Sequence, residues 1–242
     1  MLQKTKGIVL HVVKYNDTSI IVDVFTSLRG RCSLMASLPK SRRSPLRSSV
    51  FQPLALVEIE TDFHNRHSLS RIKNARLYYP FLSIPFNRKK TTIAFFLAEF
   101  MLYSLREESE NLPLFAYLES SILWLDNCSS NFSNFHLVFM MHLSAFLGFY
   151  PNLIGYHKGY YFDMMNGCYI SSQPIVSGTY LLPEEAYRIN TMMRMNYNNM
   201  HLFGMSRAQR NRCIEVILLY YRIHLAEFPQ LKSLDVLREV FD

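Results

Sequence analysis

Up to residue 79, apolar and polar positions alternate over short runs that are punctuated by turn residues. Ile8, Leu10 and Val12 recur at every second position of residues 7–15, which predicts a strand with those three on one face. Asn16-Asp17-Thr18 has turn chemistry, and the β-branched run at residues 19–25 predicts a second strand. Ser27-Leu28-Arg29-Gly30 reads as the next turn, ahead of a third strand over residues 31–37. A long polar loop, residues 39–49, precedes a fourth strand at 54–60. After His64-Asn65-Arg66 comes a fifth at 68–77, where Leu69, Ile72 and Ala75 are only loosely periodic.

Past Pro80 the period lengthens. Ile93, Phe96, Leu97, Phe100, Met101 and Ser104 fall at three- and four-residue spacing and predict an amphipathic helix over residues 89–106. Further helices are expected at 112–125, 134–147, 183–195 and 206–226, with a short terminal one at 233–241. Pro113 and Pro183 stand near helix starts, where a missing N–H costs little. Residues 148–179, rich in Gly, Tyr and Asn, are irregular. The expected fold class is α+β. Five short strands over residues 1–80 suit a closed Greek-key barrel, best matched by the OB-fold, although another small barrel or sandwich fits the strand pattern too. Residues 81–242 form a mostly α-helical domain.

Charge adds a direction to this picture. Residues 1–79 carry 13 Lys and Arg against 5 Asp and Glu, whereas residues 80–242 carry 13 against 14. Between Asp23 and Glu58 there is no carboxylate, yet the window holds Arg29, Arg31, Lys40, Arg42, Arg43 and Arg47. On a barrel edge and its adjoining loop these side chains would track a phosphate backbone, and Lys73 and Arg76 on the fifth strand would extend the surface. The competing reading is a solvated basic loop. Phe51, Phe63, Tyr78 and Tyr79 are the aromatics available for base stacking, but packing is the better account of each and none is assigned as a stacker.

Signals for catalysis are weak. The chain contains no Gly-rich phosphate loop, Gly-x-Ser-x-Gly elbow or His-Glu-x-x-His. His64 and His67 lack a cysteine nearby, and His136 and His142 are six apart, which is not a same-face helical spacing. Cys32 reads as a small buried residue. No enzyme is expected. The cysteines Cys32, Cys128, Cys168 and Cys213 are widely spaced, as reduced thiols would be. The longest apolar stretch, residues 93–105, contains Glu99 and is too short to span a bilayer. A soluble cytoplasmic protein is expected, with no membrane partner. Met192, Met193, Met195, Met200 and Met205 lie near Arg188, Arg194, Arg207, Arg210 and Arg212. They either fill a helical core or form an apolar pocket rimmed by arginine.

Gly7-Ile8-Val9-Leu10, Tyr15-Asn16-Asp17-Thr18-Ser19, Phe25-Thr26 and Gly30-Arg31 resemble the N-terminal signature of the bacterial recombination mediator family RecO. The likeness continues through Lys40, Arg42, Arg43 and Leu46 to Phe51-Gln52-Pro53-Leu54 and then Leu147-Gly148-Phe149-Tyr150-Pro151. It is strongest to the Bacteroidetes branch. The resemblance implies an OB-fold joined to a helical domain, and binding of single- and double-stranded DNA. It also implies annealing of complementary strands and, with RecR, help in loading RecA onto DNA coated by the single-stranded-DNA-binding protein SSB. Contact with the acidic SSB C-terminal tail follows as well, and an adaptor that docks this tail with only minor DNA contact is the alternative. Many members carry a four-cysteine zinc site after the leucine-glycine-phenylalanine segment. Here only Cys168 remains, and His157 as a second ligand would still leave two positions empty, so no cofactor is expected and the aromatics Tyr156, Tyr160, Tyr161 and Phe162 must hold this region.

Overall fold

The computed structural model describes residues 2–38, 48–63, 69–106, 108–173 and 178–240. By backbone proximity the chain divides into two compact units. One holds the described residues up to Asn127 together with Leu231–Val240, and the other holds Cys128–Gln230.

The first unit is built on a closed five-stranded barrel, with strands β1 (Leu2–Asn16), β2 (Ser19–Thr26), β3 (Gly30–Ser37), β4 (Leu56–Asp62) and β5 (Ser70–Tyr79) in the order β1-β2-β3-β5-β4. All pairings are antiparallel except β3 with β5, where Leu34 and Met35 lie opposite Ser70 and Arg71. This is the five-stranded, OB-like barrel that the strand pattern predicted. Val9, Val22, Val24, Leu34, Val57 and Ile59 fill the interior, and Phe51 packs against them.

One strand faces differently from its predicted alternation. Val9, not Ile8 or Leu10, turns into the barrel, and Val12 follows it. The register of β1 against β2 slips between Val9 and His11, leaving Leu10 as an extra residue. Such a bulge exchanges the two faces of a strand. Ile8 and Leu10 are buried nonetheless, because the outer surface of the barrel is covered there by helices of the same unit.

The hairpin turns follow their residues. Asn16 Oδ1 accepts the Thr18 N–H at 2.9 Å. Thr26 Oγ1 accepts the Arg29 N–H at 3.1 Å and donates to the Gly30 carbonyl at 3.0 Å. Gly30 has φ +64, and a Cβ there would collide with the backbone of Glu108 and Ser109. Only glycine meets both demands. The close approach lets the Arg31 N–H donate to the Glu108 carbonyl at 3.1 Å.

Three helices complete the unit: α1 (Arg88–Ser104), α2 (Leu112–Asn127) and, much later in the chain, α6 (Ser233–Val240). Asn87 caps α1, its side chain accepting from the N–H groups of Lys89 and Lys90. The β5–α1 connection is fastened by Asp126, whose carboxylate accepts the N–H groups of Leu82, Ser83 and Ile84 at 2.8–2.9 Å. Buried Lys90 donates to Ser83 Oγ at 2.7 Å and to the Asp126 carbonyl at 3.0 Å. Glu99 of α1 caps α6, accepting from the N–H groups of Lys232 and Ser233 at 3.0 and 2.8 Å.

The second unit comprises α3 (Phe135–Phe146), α4 (Pro183–Arg194) and α5 (Arg207–His224) around a small sheet. Its strands are β6 (Tyr161–Asp163), β7 (Cys168–Ile170) and β8 (Tyr180–Leu181), in the order β7-β6-β8. The stretch read as irregular thus contains this sheet. Gly148, at φ +85, closes α3. Phe149 then packs edge-on to Tyr221, with ring centroids 4.9 Å apart, and stacks on His224. Met192, Met195 and Met200 are fully buried, so the core reading applies to these three.

Candidate nucleic-acid interface

Eight basic residues were expected to bind DNA. Lys40, Arg42, Arg43 and Arg47 lie outside the described residues. The last residue described ahead of them, Leu38, donates its N–H to the Thr18 carbonyl beside the β1–β2 turn.

The other four do not form one strip. Arg29 and Arg31 flank Gly30 in the β2–β3 hairpin. The Arg29 guanidinium sits 5.0 Å from the centre of the Phe63 ring, a cation–π contact that orients it at the start of the β4–β5 connection. Arg31 Nη2 lies 3.3 Å from Asp23 Oδ1. The same carboxylate accepts from Ser33 Oγ at 2.5 Å and faces His11 Nδ1 at 3.5 Å. Arg31 is therefore held and largely neutralised within the sheet.

Arg76 lies on another face of the barrel. Its Nε contacts Glu58 Oε1 at 2.6 Å, and Lys4 Nζ approaches the same oxygen at 3.1 Å. The hydrogen bonds from Arg76 and Lys4 lower the Glu58 pKa, and the bond to Glu58 raises that of Arg76. Cross-strand pairing explains the cluster, since Glu58 stands opposite both Lys6 and Arg76. Lys6 is drawn off to Glu119 at 3.0 Å and covers the Tyr78 ring.

Lys73 is exposed and makes no ion pair among the described residues, which leaves its charge available to a ligand. Arg71, two residues earlier, has the same character and was not among the expected residues. The two flank Ile72, which points into the barrel. An alternating Arg-Ile-Lys triplet was the available signal, hidden by the loose periodicity of Leu69, Ile72 and Ala75.

Three of the four candidate aromatics have the packing roles expected of them. Phe51 is in the core. The Tyr78 hydroxyl donates to Glu119 Oε1 at 2.5 Å, with its pKa raised by burial and by that carboxylate. Tyr79 packs edge-on to Phe81 and bonds Asn127. Among the described residues of the barrel strands, the exposed aromatic is Tyr15, at 59%.

Among the described residues no group of three or more His, Cys, Asp or Glu is placed to hold a metal. Cys168 faces Asp163 across the β6–β7 pair. The carboxylate of Asp163 is engaged by the N–H groups of Met165 and Asn166 and by the Asn166 amide. Burial and Asp163 both raise the Cys168 thiol pKa, opposite to what a thiolate ligand requires. The residues around Cys168 do not fit a tetrahedral zinc site. Aromatic edges fill the region instead, with Tyr169 against both Tyr156 and Phe162 at 4.9 and 5.1 Å. Burial pushes the Cys32 thiol up to about 11 and, with Arg210, holds the His136 imidazole down to about 3. Neither group is poised for proton transfer or nucleophilic attack at neutral pH. No helix among the described residues is long and apolar enough to cross a membrane.

Comparison with known proteins agrees with this barrel-plus-helices plan. The family model "Recombination protein O N terminal" matches residues 1–81, and "Recombination protein O C terminal" matches residues 85–235. DNA repair protein RecO of Bacteroides fragilis is 57% identical over 242 residues, covering all of both chains. The Phocaeicola vulgatus protein of the same name is 56% identical over 241 residues, again covering both chains fully. That of Flavobacterium johnsoniae is 33% identical over 240 residues, covering 98% of each. With both family models matched in order and relatives aligned along their whole length, the chain belongs to the RecO family of DNA repair and recombination proteins.

Proposed function

We propose that this protein is a recombination mediator that binds single- and double-stranded DNA through its N-terminal barrel and anneals complementary strands. With RecR it helps load RecA onto SSB-coated single strands, and it acts in the cytoplasm at the nucleoid. The observation that carries the reading is the coincidence of a RecO-family OB-like barrel with the excess of basic residues in the same part of the chain. Cationic side chains neutralise phosphates on two strands at once, which lowers their mutual repulsion while bases search for partners. The reading needs neither a bond-making step nor a structural zinc.

A second reading is favoured by one specific observation. Asp23 and Glu58 already compensate Arg31 and Arg76, which reduces the free positive charge on the barrel. In that reading the protein is chiefly an adaptor for the acidic SSB tail. Annealing of two complementary oligonucleotides, naked and SSB-coated, over a salt series separates the two. Acceleration on both that fades with salt supports the mediator. Acceleration only with SSB present supports the adaptor, and none on either overturns both.

A further inference from the structure

The β5–α1 connection, residues 81–87, carries the two most exposed large hydrophobic side chains among the described residues of the first unit: Phe86, 83% exposed, and Leu82, 72%. The segment that displays them is tightly fastened. Buried Asp126 takes the N–H groups of Leu82, Ser83 and Ile84, and the N–H groups of Phe86 and Asn87 both donate to the Ser83 carbonyl at 3.0 Å. Thr91 Oγ1 donates to the Ile84 carbonyl at 2.6 Å, and Lys90 Nζ holds the Ser83 hydroxyl. The connection cannot turn its apolar side chains back onto the barrel without breaking these bonds.

Beside Phe86 and Leu82 lies a groove of about 350 Å³, whose walls include Pro53, Leu77, Tyr79, Phe81, Pro85 and Phe95. Phe95 is itself 52% exposed. Among the described residues, no charged side chain lines the groove. Single exposed hydrophobics are ordinary, but an apolar projection adjoining an apolar cleft marks an interaction surface.

We propose that this surface pairs two copies of the chain about a two-fold axis. The Phe86 ring of each copy seats in the groove of the other, with Leu82 packed at the rim. The chemistry of the groove selects the occupant. With no charge in its walls, it offers nothing to an acidic peptide, a phosphodiester or a lipid headgroup; it fits an uncharged apolar projection. The chain carries such a projection next to the groove, so the surface is complementary to itself. A two-fold arrangement uses each projection and each groove once and closes. Any open repeat leaves one of each free at its ends and keeps growing. Rigid display of Phe86 lowers the ordering cost of association. The pairing does not depend on whether the barrel binds DNA.

Sedimentation equilibrium of the full-length protein over micromolar concentrations tests this. The mass is expected to rise to that of two chains and no further. Phe86→Asp carries a carboxylate into the partner's groove at both contacts and should weaken association roughly 100-fold or more, leaving the mass of one chain. Its urea midpoint should match the parent, because the ring is exposed in its own chain. Phe95→Arg, in the groove wall, should have the same effect on mass. Mixed in equal amounts, the two variants should regain the mass of two chains. One contact is then that of the parent, and the other brings the introduced carboxylate to the introduced guanidinium. If Phe95→Arg shifts the urea midpoint, Leu77→Arg on the β5 wall takes its place. A parent that stays at one chain overturns the pairing, as does growth beyond two chains. Retention of the two-chain mass by Phe86→Asp overturns it too. Failure of the mixture to associate, with both variants folded, overturns the reciprocal seating of Phe86 in the groove.

Discussion

Arg76 and Glu58 are cross-strand neighbours on β5 and β4, joined by a 2.6 Å contact between Nε and Oε1. The pairing gives two residues of similar exposure, Arg76 and Lys73, unequal value to a phosphate. Lys73→Ala should reduce the log–log salt slope of single-strand binding by about 0.7, the share of one phosphate contact. Arg76→Ala should leave the slope at the parent value. Titrations in four or more salt concentrations check this, and an equal loss at both positions would show that the carboxylate does not matter.

The acid-free window supplies the largest expected effect. Replacing Arg42, Arg43 and Arg47 together by Ala should lower the slope by about 2 and weaken binding alike across sequences. Unchanged affinity and slope would remove that segment from the interface.

Gly30 combines a left-handed backbone with direct approach of the chain at Glu108 and Ser109. Gly30→Ala is expected to cost about 3 kcal/mol, from backbone strain and overpacking together. Urea unfolding monitored at the single tryptophan, Trp124, reads the loss. A change under about 1 kcal/mol would mean that the 108–109 segment yields easily.

Burial works to raise the pKa of Asp126, but bonds from the N–H groups of Leu82, Ile84 and Ser83 outweigh it and carry the group below its ordinary 3.8. A depressed carboxylate contributes stability that is fully present above its unfolded pKa and lost as pH falls through the folded one. Asp126→Ala should therefore cost about 3 kcal/mol at neutral pH, with the gap between variant and parent closing below about pH 4. A gap independent of pH would assign the loss to packing alone.

Protein purified without chelator should contain far less than one zinc per chain, and Cys168→Ser should leave the unfolding midpoint where it was. Stoichiometric zinc that disappears with Cys168 would overturn this.

Most of the architecture was legible because it depends on periodicity. Strand and helix positions follow from spacing that burial enforces, and Asn16, Gly30 and Pro183 mark their own turns and helix start. What spacing cannot carry is a register slip. The bulge at Leu10 put Val9 inside in place of Ile8 and Leu10, while Val12 kept the face its spacing predicts. Compensation across strands was equally invisible. Arg31 and Arg76 look like free cations in a list of charges, yet their carboxylates are 8 and 18 residues away. Glu99 reads as an interruption of an apolar helix until its partners at Lys232 and Ser233 are seen.

Those partners stand 133 and 134 residues beyond Glu99. A ribosome therefore delivers the barrel, α1 and α2 first, then the whole of the second unit, and only afterwards the helix that finishes the first. During that interval the face of α1 that receives α6 has no occupant, and its carboxylate has no helix end to cap. Closing the gap is a loop-closure problem whose entropy grows slowly with length, so assembly time rather than final stability bears the cost. Synthesis order thus makes the first unit to emerge the last to be completed.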